Sequence, residues 1–137
     1  MPATIVPIDP RVFISGQIGV GEMSPLVDQG VRLVVNHRPD DEEPGQVASA
    51  VLERQAAALG IRYLHAPVSG MPSPGAVEAT ATALASLAPD EKVLLFCRSG
   101  MRSSVAWALA ERGRGVDADT LRRKASEAGY DLSRLPL

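Results

Sequence analysis

The stretch at residues 92–107, KVLLFCRSGMRSSVAW, constrains this chain more than any other. Its apolar run at 93–96 is short and uncharged inside, and it follows the turn-forming Pro89-Asp90-Glu91, so it reads as a buried strand. The run stops at Cys97. Arg98, Ser99, Gly100, Met101 and Arg102 follow as a small polar loop. Val105, Ala106, Leu109 and Ala110 then recur at helical spacing, so a helix is expected to start near Ser103. A strand, a glycine-bearing loop and a helix N-terminus succeed one another, with a cysteine at the first loop position.

That order favours a thiolate. A helix N-terminus and nearby arginines stabilise ionised sulfur, which is the nucleophilic form. Loop amides leading into a helix converge on one concavity that suits a tetrahedral anion. Arg102 carries the planar fork that holds oxyanions through two parallel donors, as lysine cannot. Ser103 is placed to cap the helix and to bring a hydroxyl beside the sulfur. Cys97, Arg102 and Ser103 are therefore the candidate catalytic residues, and Arg98, Ser99, Gly100 and Met101 the candidate substrate-binding loop. A lone cysteine after an apolar strand is more commonly a core residue. Two arginines, two serines and a glycine directly after it do not suit a core position.

The rest of the chain limits what such a site can serve. A length of 137 residues is that of one domain, 1–137, with enough chain for a single core. The net charge is −2, no basic run occurs and aromatics make up 4%, so nucleic-acid binding has no support. No segment reaches membrane-spanning length. The N-terminal MPATIVPIDPRVF is broken by prolines and lacks an apolar signal core, so the chain reads as unprocessed and cytoplasmic. A single cysteine allows neither an intrachain disulfide nor a resolving thiol, and a reductant would be an external thiol. His37 and His65 stand apart from each other and from Cys97, so neither a metal nor a cofactor is expected.

Strands and helices alternate along the chain. Residues 11–15 read as a strand closed by Ser15-Gly16, and Ser24-Pro25 opens a helix that Gly30 ends. Residues 31–35 (VRLVV) and 61–68 (IRYLHAPV) read as strands. Residues 46–59, 76–87 and 117–128 read as helices. Four strands joined by helices predict an α/β fold with a mainly parallel four-stranded sheet flanked by helices. The polar segment 36–46 (NHRPDDEEPGQ) falls at a strand's C-terminal end, where open α/β sheets bind ligands. Arg38 reads equally as a substrate contact and as part of a solvated turn, whereas Asp40, Asp41, Glu42 and Glu43 read better as the turn. His65, on a strand, reads as a hydrogen-bonded structural residue.

The segments 13–17 (FISGQ), 36–46, 63–68 (YLHAPV) and 97–103 (CRSGMRS), in this order, resemble the β-lactamase hydrolase-like family. The family's domain is similar to dual-specificity protein phosphatases and also occurs fused to metallo-β-lactamase-type hydrolases. The resemblance runs over about residues 12–112. It implies a cysteine-phosphatase-like fold, with Cys97 as nucleophile and Arg102 as the anion-binding arginine. The family has carried both phosphatase and sulfurtransferase labels.

Three departures from cysteine phosphatases bear on the reaction. Four residues, not five, separate Cys97 from Arg102, which gives a tighter cradle like the six-residue loop of rhodanese-type sulfurtransferases. Phe96 stands where a histidine commonly precedes the cysteine. Residues 69–75 (SGMPSPG), where the aspartate general acid is expected, hold no carboxylate, so esters with good leaving groups should react best. Asp40, Asp41, Glu42 or Glu43 could supply a proton from another loop. The leading expectation is phosphate-monoester hydrolysis through a cysteinyl-phosphate. The alternatives are sulfur transfer through a Cys97 persulfide and a non-catalytic module that binds an anion, such as phosphate or sulfate, or senses redox state.

Overall fold

The computed structural model describes residues 4–137. Two strands come first, β1 (Ile5–Asp9) and β2 (Val12–Ser15), followed by a 3-10 turn at Val20–Glu22 and the short α1 (Ser24–Asp28). Then come β3 (Val31–Asn36), α2 (Ser49–Ala58), β4 (Arg62–His65), α3 (Pro74–Ala85), β5 (Lys92–Phe96), α4 (Met101–Gly113) and α5 (Ala118–Glu127). The sheet runs β1-β2-β5-β3-β4. β1 pairs antiparallel with β2, and every other pairing is parallel. The architecture is the expected α/β one, a mostly parallel sheet flanked by helices.

Among the described residues the strand count is five, not the four expected. The missed strand is β1, where Pro7 argues against a ladder. Pro7 lies opposite Phe13 on the outermost strand, and an edge strand tolerates a residue with no N–H to donate.

β5 and β3 show why their sequences are apolar almost throughout. Each lies between two strands, and helices cover both faces. Leu94 and Phe96 pack on one side with Val34, Leu26, Leu52 and Ile61. Val93 and Leu95 pack on the other with Ile14, Val35, Trp107 and Leu121. Each fully buried side chain of this size stabilises the fold by roughly 1.5–3 kcal/mol. Trp107 of α4 is completely buried.

Helix starts follow their caps. Ser73 accepts from the Ala76 amide and Pro74 takes the first helical position of α3. Asp117 accepts from the Thr120 amide at the head of α5. α4 starts at Met101, with Gly100 as its cap residue at φ +96°. Ser103 therefore lies inside the first turn and does not cap the helix, contrary to the expectation from sequence. Among the described residues no helix is long and apolar enough to cross a membrane.

Candidate active site

The C-terminal ends of three parallel strands meet at one place. Ser15 of β2, Phe96 of β5 and Asn36 of β3 stand in register. The chain leaving each strand stays there. The Cys97 amide donates to Ser15 O at 3.4 Å, and the His37 amide to Phe96 O at 2.8 Å. Gly16 is needed because the cysteine loop passes so close that a Cβ would lie 2.8 Å from Arg98 O. The Gln17 amide donates to that same carbonyl at 3.2 Å.

Cys97 forms the fully buried floor of the site. The Gly100 amide donates to its Sγ at 3.1 Å. The guanidinium of Arg102 is close enough for the charge of Cys97 to add to what keeps it protonated. The backbone and hydroxyl of Ser104 both donate to Gly100 O, at 2.9 and 2.8 Å, and tie the loop to the first turn of α4. The loop thus aims one amide at the sulfur, as an anion-binding concavity built from backbone donors does.

Arg102 is held from outside the loop. Its two terminal nitrogens donate to the two carboxylate oxygens of Glu42, both at 2.8 Å, and one also reaches Val68 O at 2.7 Å. Glu42 accepts in addition from Nε of Arg38 at 2.8 Å. The Arg102 hydrogen bonds, followed by those of Arg38, overcome burial and lower the Glu42 carboxyl from 4.5 to about 2. Glu42 is therefore ionised at neutral pH and serves as a counter-ion. Its partner Arg102 is correspondingly harder to deprotonate. The acidic turn expected at 40–43 is in part a structural framework. Asp40 accepts from the Ser49 amide at the head of α2, and Glu43 accepts from Arg38 at 3.0 Å.

Arg38 lies behind this framework with 1% of its side chain exposed. Beyond the two glutamates it reaches Gln17 Oε1 at 3.0 Å. Its carbonyl accepts from His65 Nε2 at 2.8 Å, so His65 is a structural residue as its strand position suggested. Each of the three guanidinium nitrogens of Arg38 donates to a protein side chain, which makes it a support for the site. Arg98 points outward, with 65% of its side chain exposed and 3.8 Å between it and Glu43. Met101 is also exposed.

Ser103 faces a partner that its sequence position does not disclose. Its Oγ lies 2.8 Å from His37 Nδ1, while His37 Nε2 lies 2.9 Å from Thr80 Oγ1. The Thr80 hydroxyl donates to Ala76 O at 2.8 Å, so it accepts from Nε2–H. Nδ1 then carries the lone pair and accepts from Ser103. Burial, with Arg102 and His65 adding to it, lowers His37 from 6.5 to about 4, so the ring is neutral. The Ser103 proton is committed to His37, a residue that spacing alone left isolated. Its place directly after the apolar β3 was the one signal available.

The phosphatase-like domain family of beta-lactamase hydrolase-like protein matches residues 5–114. A beta-lactamase hydrolase-like protein of Xylella fastidiosa is 33% identical over 132 residues, which is 95% of this chain and 30% of that protein. The chain thus spans under a third of that relative's length. Among solved structures, a candidate phosphatase from Neisseria meningitidis superposes with a TM-score of 0.80 at 26% identity, covering 95% of this chain and 92% of that one. Kinase associated phosphatase, solved with its catalytic site cysteine replaced by serine, gives a TM-score of 0.73 at 15% identity, over 94% and 85% of the two chains. At that identity the likeness is one of fold, namely that of the cysteine phosphatases.

Proposed function

This chain belongs to the phosphatase-like domain family of beta-lactamase hydrolase-like proteins, and on that premise we propose that it hydrolyses phosphate monoesters with Cys97 as nucleophile. The observation that carries the reading is the Gly100 amide donating to the buried Cys97 sulfur at 3.1 Å, at the head of a loop that closes on Arg102. Glu42 and Val68 O fix the direction of the Arg102 guanidinium. Such donors act on charge that develops during the reaction and need no rearrangement at that moment.

The Cys97 thiolate attacks phosphorus, an S–P bond forms and the ester P–O bond breaks. Water then attacks phosphorus, the P–S bond breaks, and inorganic phosphate and the thiolate are released. Arg102 and the amides of Arg98, Ser99, Gly100 and Met101 carry the phosphoryl oxygens. Ser103 steadies the first turn of α4 through His37. Residues 69–75 hold no carboxylate and Glu42 is engaged with Arg102, so the leaving oxygen must depart with little help. Aryl phosphates are the substrates this suits.

Sulfur transfer is the second reading, favoured by the four-residue spacing between Cys97 and Arg102 and by the lack of an acid at 69–75. A Cys97 persulfide needs no proton donor to form, and an external thiol would accept its outer sulfur. One preparation separates the two. Hydrolysis predicts Cys97-dependent release of p-nitrophenol from p-nitrophenyl phosphate, with turnover lost by several orders of magnitude in Cys97→Ser, as for other nucleophile deletions. Thiocyanate from thiosulfate and cyanide, without p-nitrophenol, would replace the first reading by the second. If neither product depends on Cys97, the site is an anion receptor or redox sensor without turnover.

A further inference from the structure

We propose that Tyr130 is a positioning residue for Cys97, acting through the Ser99–Gly100 peptide. The proposal rests on the reading of Cys97 as nucleophile and adds a residue that lies beyond the family match at 5–114.

Tyr130 follows the end of α5, and its amide is anchored on Ala125 O at 2.8 Å. Its hydroxyl donates to Ser99 O at 3.3 Å. The amide of the next residue, Gly100, donates to Cys97 Sγ at 3.1 Å. These two groups belong to one peptide unit. A trans peptide is planar and rigid, and its C=O and N–H point in opposite directions. Holding the carbonyl on one side therefore aims the N–H at the sulfur on the other. A bond accepted by the carbonyl also polarises the N–H, so the second bond strengthens the first.

The loop is shaped to admit the tyrosine. A Cβ at Gly100 would collide with the Tyr130 hydroxyl, so Gly100 serves both its own left-handed backbone and the approach of the ring. Tyr130 senses the sulfur in turn. Burial first, and then the charge of Cys97, raise its phenol above the ordinary value. The Ser99 hydroxyl, for its part, accepts from the Met101 amide at 3.4 Å.

Tyr130→Phe keeps the ring and deletes the donor. Alkylation of Cys97 by iodoacetamide, followed by mass spectrometry across the pH range where thiols ionise, reads the thiolate without any phosphatase substrate. Cys97→Ser is the blank. The variant's profile should move to higher pH, with a rate at neutral pH about three- to tenfold below wild type and convergence in alkali, the scale of a weakened hydrogen bond to a charged group. The Gly100 signal in a proton–nitrogen correlation spectrum should shift as well, because its amide no longer points at the sulfur. Intact Trp107 fluorescence shows that the fold is retained. Superimposable alkylation profiles with an unmoved Gly100 signal overturn the proposal. If that result accompanies Cys97-dependent hydrolysis, the phosphatase reading stands and only the role of Tyr130 falls. A shifted profile without hydrolysis supports Tyr130 and overturns the phosphatase reading.

Discussion

Two loops make the site, and they are built differently. The loop from Cys97 to Arg102 is made of backbone: a glycine at φ +96°, an amide on the sulfur and the first turn of α4. All of its parts lie within a few residues of one another. The segment between β3 and α2 is made of side chains. Arg38, Glu42 and Glu43 clasp one another there, and Glu42 reaches Arg102, which is 60 positions further along the chain. The backbone loop carries Cys97 and the amide that donates to its sulfur. The side-chain segment sets where the arginine points. The first takes its shape mainly from neighbours in sequence, with support from Gln17 and Tyr130, whereas the second exists only after the sheet has brought β3 and β5 together.

The comparison can be broken first at Arg102, where the two loops touch. Arg102→Lys keeps the charge but loses the fork, so vanadate or phosphate affinity should fall by about 1–3 kcal/mol, measured by calorimetry. Equal affinities would place the anion elsewhere.

Glu42→Gln attacks the side-chain loop and spares the cradle. Two arginines, one of them buried, lose their common counter-ion, and thermal or denaturant unfolding should show a loss of about 1–2 kcal/mol. The pH dependence sharpens the test. A carboxyl lowered from 4.5 to about 2 by folding contributes stability that is fully present above its unfolded value. That contribution is lost as pH falls from about 4.5 towards 2. Wild type should lose stability over that window more steeply than Glu42→Gln, and parallel curves would mean that the carboxylate contributes nothing to the fold.

Glu43→Gln is the smallest change. Its side chain is 47% exposed, and it meets Arg38 at 3.0 Å and the exposed Arg98 at 3.8 Å. Its loss should cost about 0.5 kcal/mol or less in the same unfolding measurement. A cost as large as that of Glu42→Gln would show the ion pairs acting as one unit, with no hierarchy between them.

How much of this could be read from the sequence follows the same division. The α/β alternation and the central apolar strands were legible, because a strand buried on both faces must be apolar. The strand–loop–helix setting of Cys97 and Arg102 was legible because it is local. Edge strand β1 was not, since Pro7 is tolerated only by a location that sequence does not print. Glu42 read as a solvated acid because its partner is distant in sequence. His37 read as isolated because Ser103 and Thr80 come to it from two different helices. Ser103 read as a cap because nothing before Gly100 reveals that the helix starts two residues earlier.

The position of β5 has a consequence in time. It is the last strand in sequence, yet it sits in the middle of the sheet, between β2 and β3. While the chain is being synthesised, β1 and β2 can form a hairpin and β3 and β4 can pair across α2, but the two halves have no common edge. They are joined only when residues 92–96 emerge and insert between them. Pairings this distant in sequence are slow to form, and until then two apolar strand edges face solvent. The segment that leads into Cys97 is therefore also the one that completes the sheet, so the surroundings of Cys97 form only when the two halves are joined.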